Sequence, residues 1–400
     1  MTAVRSSVCA GSALLAAITI GCKPASVDAE PSAVISDSGG VVIQTSTPDR
    51  STPDWQVAHS RAVLVRDDLY RIRGATFLDD GLIAVANAGA FDVRIYSPEG
   101  LLLVRRGRRG DGPGEYQALT EIHSYRGDSL IVFDRRARRY SVLDNRGQYV
   151  RSFSAVGPEG GPTDVTLEGA TDSGELIMIT LSPIVPASPP GIIRPTETLL
   201  RYGPTGAVIG PIGPVPGAEQ FVDSEGGGWP RSFGRRTVAL VVGSEVLVTT
   251  GDAYEVRVYG LDGALRRVLR IATEPLEVLP QHIAVDRDRL RRAAASFVGL
   301  PAHVRQRYYA TTRSMSYPTV FPALTALRHD DAGRLLLRTY PPPGATETTW
   351  FVLGPSGAVV ARLHLPAGMV LHDLRDQRAL VSWEDSLDVE HVGVARIVQR

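Results

Sequence analysis

One pattern recurs along this chain of 400 residues: a turn, then an apolar strand, then a polar residue at the strand's end. The copy in residues 79–106 continues with a second alternating strand, a Pro-Glu-Gly turn and a third strand, which makes a three-stranded meander. Such a unit of about 45 residues has the length of a β-propeller blade, in which successive sheets pack face to face around an axis. Six segments begin in this way, and they are residues 82–87, 130–134, 176–180, 246–250, 335–339 and 380–384.

The starts of these segments lie 48, 46, 70, 89 and 45 residues apart, and each of the two longer spacings contains an insertion. Residues 182–195 and 210–234 are rich in Pro and Gly, so we predict long loops at a rim there. Residues 282–298 carry apolar side chains at helical spacing, and residues 301–312 follow as a second short helix. The result is a predicted helical insertion over about residues 280–312.

Closure of the ring needs a strand from the other end of the chain. The last unit, residues 371–397, has few residues after its second strand, and residues 55–65 precede the first unit without a partner. We predict that this segment, or residues 41–44, completes the final blade.

The N-terminus is typical of an exported protein. One charge, Arg5, precedes an apolar run that is too short to span a membrane. Residues 19–22 read Thr-Ile-Gly-Cys and resemble a bacterial lipobox, in which the signal is cut before the cysteine and Cys22 is acylated. The alternatives are an ordinary signal peptide with a chance cysteine, or an uncleaved anchor.

These observations predict three regions. Residues 1–21 are a lipoprotein-type signal peptide, residues 22–54 a mostly disordered tether rich in Ser, Pro, Asp and Thr, and residues 55–400 the propeller. The protein is then held by its N-terminal lipid in the bacterial cell envelope, on the periplasmic or outer-membrane face. Because Lys plus Arg equals Asp plus Glu at 43 each, no overall charge attracts nucleic acid, and we expect none as a partner.

Residues 107–116 read GRRGDGPGEY and follow the upstream words DDGLIAVAN and IYSPEG. This succession resembles a group of bacterial envelope proteins that are six-bladed β-propellers related to NHL-repeat propellers. The resemblance extends from about residue 40 to the C-terminus and implies the fold, while the functions of that group are largely unassigned. We therefore expect an all-β protein, a six-bladed β-propeller with a short helical insertion between blades four and five.

Superposing the six units places their polar strand ends at equivalent positions, where they form a ring at one mouth of the channel. Oxygen atoms of Asn, Asp and Glu are ligands that a hard cation such as calcium prefers. The alternative is that Asn and Asp at the start of a loop form turns. The ring residues are Asn87, Asp134, Thr180, Thr250, Thr339 and Glu384.

The loop of residues 219–233 sets aromatic side chains among acidic ones around three consecutive glycines. Such a loop can serve as a recognition surface or a lid. The alternative is that its aromatic rings plug the channel or pack under the insertion. The candidate recognition residues are Phe221, Asp223, Trp229, Arg231 and Phe233.

No recognisable catalytic set accompanies these features, because the histidines lack ligand spacing and no G-x-S-x-G motif occurs. We expect a lipid-anchored binding or scaffold module for a protein, peptide or glycan partner, without a cofactor. The alternative is a metal-dependent propeller hydrolase or lyase acting on a small lactone or ester at the channel. Calcium would then be held by Asn87, Asp134 and Glu384.

Overall fold

The computed structural model describes residues 33–58, 62–63, 67–126, 129–157, 164–181, 190–296 and 301–400. Strands dominate these residues, which include two α-helices, so the all-β prediction is confirmed. Neither described helix is both long and apolar enough to cross a membrane. The N-terminal strands are β1 Val34–Ser38, β2 Val41–Ser46, β3 Asp54–Val57 and β4 Ala62–Val63.

Within the described residues, the strands that follow form six groups of antiparallel neighbours in chain order, and β3 joins the last two groups in one sheet. Group one is β5 Ile72–Phe77, β6 Ile83–Asn87, β7 Asp92–Tyr96 and β8 Leu102–Arg106, with a 3₁₀ turn at Asp79–Gly81. Group two is β9 Leu119–Tyr125, β10 Ser129–Asp134, β11 Arg139–Leu143 and β12 Tyr149–Phe153. Group three is β13 Val165–Ala170, β14 Leu176–Thr180, then, after the separate short strand β15 Gly191–Ile193, β16 Thr196–Tyr202 and β17 Val208–Pro216.

The second half of the chain begins with two short strands, β18 Gln220–Val222 and β19 Gly228–Pro230, which join β15 in a small sheet. Group four is β20 Val238–Val242, β21 Glu245–Thr249, β22 Glu255–Gly260 and β23 Leu265–Ile271. The helices α1 Pro280–Ser296 and α2 Ala302–Ser314 come next. Group five is β24 Leu324–His329, β25 Leu335–Thr339, β26 Glu347–Leu353 and β27 Val359–Pro366, and group six is β28 Val370–Arg375, β29 Arg378–Glu384 and β30 Glu390–Gln399.

The core consists of apolar clusters between neighbouring groups. Alternate side chains of β6 point to opposite faces of its sheet, as the two-residue period of a strand requires. Ala84 and Ala86 pack against group two, while Ile83 and Val85 pack against group six. Equivalent clusters join the remaining neighbours, which explains why the second strands read as continuous apolar runs.

The first strands of the groups contact one another in a closed cycle within the described part of the chain. Its order is β5, β9, β13, β20, β24, β28 and back to β5. The sheets therefore surround an axis, and the predicted β-propeller class is confirmed.

The N-terminal segment joins the last group to its neighbour. Strand β30 pairs with β29, then with β4 at Gly393 and Val394, and with β3 at its C-terminal end. Strand β3 also runs parallel to β27 of group five. The predicted pairing of residues 55–65 with the final group is thus confirmed for β3 and β4, while residues 59–61 and 64–65 lie outside the described residues.

Residues 41–44 pair with a different strand group from the one predicted. Strand β2 pairs in parallel with β23, the outer strand of group four, and β1 forms a hairpin with β2. Residues 34–46, within the predicted tether of residues 22–54, thus form β1 and β2, and the strand at residues 41–44 lies against group four and not in the final blade. The physical reason is that the outer edge of β23 offers unpaired backbone groups to which a short Val-Val-Ile run can add.

The insertions also differ in part from the predictions. Residues 210–216 belong to β17, and residues 220–230 include the β18–β19 hairpin, so the predicted long loop is wrong there. Prolines are tolerated in β17 because it is the outer strand of its sheet, where a missing N–H costs no ladder bond. Helices α1 and α2 lie within the predicted helical insertion, between β23 and β24 in the chain. Residues 182–189 and 297–300 lie outside the described residues.

We expect Val57→Asp to lower the free energy of unfolding by about 3 kcal/mol, because it places an unpaired charge in an apolar cluster. Val57 on β3 is 7% exposed, whereas Ile35 on β1 is 66% exposed. Ile35→Asp is the matched control and should change stability by less than about 0.5 kcal/mol. Urea unfolding followed by tryptophan fluorescence measures both, and equal effects would contradict a closing role for β3.

Candidate functional site

A cavity of about 730 Å³ lies along the axis and is lined by residues from the first strand of every group. Its volume is that of many small-molecule sites. On β9, Glu121 and His123 give the cavity a polar lining beside Ile122, which also belongs to the apolar cluster shared with group one. Strand β20 supplies an apolar wall, Val238 to Val241.

Two carboxylates on neighbouring strands face this cavity. Burial, aided by the negative charge of Glu121, raises the pKa of Glu168 on β13 to about 7. The Glu168 carboxylate accepts one hydrogen bond, 3.3 Å from the backbone N–H of Ala239. Glu121 Oε2 is buried and accepts no hydrogen bond from the described residues, with His123 Nε2 lying 3.7 Å away.

Arg328 on β24 brings a half-buried positive charge to the same cavity. Its Nε donates to the backbone oxygen of His372 at 3.0 Å and its Nη1 to that of Leu327 at 2.8 Å. Burial lowers the pKa of the Arg328 guanidinium, because the charged form loses solvation.

His372 on β28 is neutral at physiological pH. Burial, and then the charge of Arg328, lower the pKa of His372 to about 3. Its Nε2 lies 2.8 Å from Ser382 Oγ, but Ser382 does not line the cavity. This pair therefore presents no serine nucleophile to a ligand in the cavity.

Asp373, beside His372, closes the ring instead of serving a ligand. Its Oδ2 accepts hydrogen bonds from Thr76 Oγ1 at 3.0 Å and from the backbone N–H of Phe77 at 2.9 Å. Its Oδ1 accepts from the N–H of Leu374. Group six is thus tied to group one by a charge-assisted contact.

A second cavity of about 510 Å³ lies beside the first and shares Arg73 and Glu121 with it. Its wall includes Phe133 and Tyr140, whose rings stack with centroids 4.4 Å apart. A ligand in the axial cavity can therefore extend between groups two and three.

The six residues predicted to form a polar ring do not line the axial cavity. The buried Asn87 side chain accepts a hydrogen bond from the N–H of Tyr70 at 2.8 Å and donates to Asp92 Oδ1 at 2.9 Å. Asp134 is also buried, and its carboxylate accepts four backbone hydrogen bonds, from Gln117, Ala118, Arg136 and Ala137.

The other four ring residues also have neighbours close to them in their own part of the chain. Thr180 Oγ1 accepts from the N–H of Thr198, and Thr339 Oγ1 donates to the oxygen of Thr349. Thr250 Oγ1 donates to Asp252, and Glu384 lies opposite Glu390 on β30. Five of the six are the last residues of second strands, and Thr250 directly follows β21. All six are therefore one strand removed from the axis, where they organise turns and hairpins. Among the described residues, no three or more His, Cys, Asp or Glu side chains are grouped to hold a metal ion.

The predicted recognition loop is fastened to helix α2 through Asp223. Its carboxylate accepts hydrogen bonds from Arg307 Nε and Nη2, both at 2.9 Å, and from Trp229 Nε1 at 2.8 Å. The Arg307 guanidinium holds the pKa of Asp223 well below its usual range. Trp229 packs edge-on against Tyr308 with ring centroids 5.7 Å apart.

The remaining loop residues make similar contacts. Phe233 is buried and packs 4.8 Å from Phe321, as expected for rings that pack under the insertion. Arg231 Nη1 binds Glu219 at 2.9 Å, and its Nε donates to the oxygen of Ser316. Phe221 lies opposite Trp229 in the β18–β19 hairpin. This is a braced rim element, with Phe221 and Trp229 half-buried.

The residues that do meet in the cavity were missed by the sequence reasoning. Glu121, Glu168 and Arg328 lie inside first strands, where the useful signal is a single Glu or Arg within a short strand that also carries apolar residues. The repeat is clearest in the second strands, so the sequence pattern indicates the ends of those strands as candidate sites.

No family model and no curated protein sequence matches the chain. Solved structures do resemble it. A member of the DUF4221 family from Bacteroides vulgatus is 11% identical, with a TM-score of 0.52 over 88% of this chain and 100% of that one. A gluconolactonase from Xanthomonas campestris is 11% identical, with a TM-score of 0.43 over 92% and 99%. Virginiamycin B lyase from Staphylococcus aureus is 9% identical, with a TM-score of 0.38 over 84% and 98%. At such identities, the likeness to the first of these concerns the β-propeller fold alone.

We expect Asp134→Ala to lower the free energy of unfolding by about 3 kcal/mol, because four backbone N–H groups lose their acceptor. Asp262→Ala removes an exposed turn carboxylate and should change stability much less than Asp134→Ala does. Urea unfolding with and without calcium measures both variants. A calcium-dependent gain in the unmodified protein that Asp134→Ala abolishes would contradict this assignment and support a metal site.

The pH dependence of stability tests the environment of Glu168. Because its pKa rises from 4.5 to about 7 on folding, the folded chain binds this proton more tightly than the unfolded chain. The stability that Glu168 contributes is therefore full below pH 4.5 and is lost as the pH rises through 7. Glu168→Gln should remove this pH-dependent loss. The difference in unfolding free energy between the variant and the parent should therefore change across that pH range. If the unfolding free energies of the variant and the parent, measured by urea unfolding, change in parallel from pH 4 to pH 8, the environment assigned to Glu168 is refuted.

Proposed function

We propose that this chain is an exported, lipid-anchored binding module of the bacterial cell envelope, and that its ligand enters the axial cavity. The observation that carries the proposal is the convergence of Glu121, Glu168 and Arg328 on one cavity of about 730 Å³. Keeping charged groups at a partly desolvated axis is costly, and a folding role alone does not require it.

A six-bladed ring is part of the proposal. The closed cycle of six first strands and the apolar clusters between successive groups support this blade count. A rigid ring holds its axial side chains in place before a ligand arrives, which lowers the entropy cost of binding.

The N-terminus supports export and anchoring. The short apolar run followed by Gly21 and Cys22 has the order of a lipoprotein signal. A partner in the envelope is then a protein, peptide or glycan that can send a small group into the cavity. Phe221 and Trp229, on the braced hairpin, are candidates for contact with a larger part of such a partner.

We favour binding over catalysis because the polar groups that a reaction would need either bond to neighbouring residues or lie outside the cavity. The side chains of Asn87 and Asp134, two of the three proposed calcium ligands, are engaged within their own strand groups. Ser382, the serine bonded to a cavity histidine, does not reach the cavity. We therefore propose no metal-dependent reaction.

The anchor is tested with Cys22→Ser in the full-length chain produced in a bacterial host. We expect the variant to lose incorporation of a palmitate label and to move from the membrane to the soluble envelope fraction, because its acylated thiol is gone. Cys9→Ser, inside the apolar run, is the matched control and should keep both properties. Retention of the label by Cys22→Ser would refute the lipid anchor.

Ligand binding is tested by native mass spectrometry of purified protein after exposure to the small-molecule fraction of an envelope extract. We expect a bound mass that Arg328→Met loses, because that change removes the positive charge from the cavity. Arg266→Met, which alters an exposed arginine outside the cavity, should keep it. A mass that both variants retain, or no bound mass, counts against the cavity as the ligand site.

A further inference from the structure

We infer that the axial cavity binds a small zwitterion, with its ammonium group between Glu121 and Glu168 and its carboxylate on Arg328. The inference rests on the proposed binding function and deepens it by naming the ligand class. A free amino acid or a short peptide has the required pair of charges.

The acidic pole lies on the adjacent strands β9 and β13. Glu121 Oε2 has no hydrogen-bond donor among the described residues, and Glu168 has one long bond from Ala239. The negative charge of Glu121 helps to raise the pKa of Glu168, so a cation bound between the two carboxylates would offset this repulsion. A primary ammonium, with three donors, can serve both at once.

The basic pole lies across the axis. In the cycle of first strands, β24 stands three positions from β9, which places Arg328 on the opposite side from Glu121. The hydrogen bonds described for Arg328 use Nε and Nη1, which leaves Nη2 for a ligand oxygen. A carboxylate there would compensate a guanidinium whose charge is partly desolvated.

The other charged residues of the cavity are consistent with a ligand that carries both a positive and a negative charge. Asp373 lies near Arg328, but both of its oxygens accept hydrogen bonds from groups one and six. Arg73 lies on the side of the two carboxylates. Arg126 adds one positive charge to the lining, and Asp172 adds one negative charge. A purely cationic or purely anionic ligand would leave one pole without its partner.

The walls set the shape of the ligand. Between the two poles, β20 presents Val238 to Val241, an apolar surface suited to aliphatic groups. The adjoining cavity beside Glu121 gives further room next to the acidic pole. A dipeptide with small apolar side chains is therefore a fitting probe.

The test uses calorimetric titration of the purified full chain with L-alanyl-L-alanine, its N-acetyl derivative and its C-terminal amide. We expect one dipeptide per chain and at least tenfold weaker binding of each derivative, since each lacks one charge. The changes Glu121→Gln and Glu168→Gln should remove the preference for the dipeptide over its N-acetyl derivative. Arg328→Met should remove the preference over the amide.

Two further variants separate charge recognition from misfolding. Arg328→Lys keeps the positive charge and should retain part of the preference for a free carboxylate. Arg266→Met, outside the cavity, should bind all three probes as the parent does.

Equal affinity for the dipeptide and its derivatives, or no binding of the dipeptide at millimolar concentration, would overturn the zwitterion inference. If native mass spectrometry still finds a bound mass that Arg328→Met loses, the binding function stands and only the ligand class is wrong. If neither method detects a ligand, the proposed function fails as well.

Discussion

The structure depends on apolar contact between the faces of neighbouring sheets. Each central strand is covered on both sides, so its side chains alternate between two partners. Ile83 and Val85 face group six, while Ala84 and Ala86 face group two. Burial of this kind is the main favourable term in folding, and here it recurs around the axis. A group that loses one neighbour leaves an apolar face in water, so the ring is stable only when it closes.

Closure explains the place of the N-terminal segment. Strand β3 pairs with both β27 and β30, and the Asp373 carboxylate binds Thr76 and the backbone of Phe77. These contacts tie the end of the chain to its beginning through backbone ladders and one half-buried carboxylate. The hairpin β1–β2 extends group four by the same backbone pairing.

The first strands contribute to both the core and the cavity. Ile122 belongs to an apolar cluster and lines the cavity together with its neighbours Glu121 and His123. Charges such as Glu168 and Arg328 are then held by a frame that cannot easily relax around them, and their pKa values shift through desolvation. The lining of the cavity and the apolar clusters of the ring therefore come from the same strands.

The sequence by itself determined the propeller class and most of the strands, because turn residues and apolar periodicity are local signals. It did not single out the charges of the cavity: Asn87 and Asp134 look like convergent ligands in a linear repeat, but their side chains satisfy nearby backbone and polar groups. Only the tertiary structure decided which charges meet, since Glu121 and Arg328 are 207 positions apart in the chain and share a cavity only because the ring closes. It likewise decided where β2 pairs, because a free strand edge is a property of the folded sheet and leaves no mark on the strand that fills it.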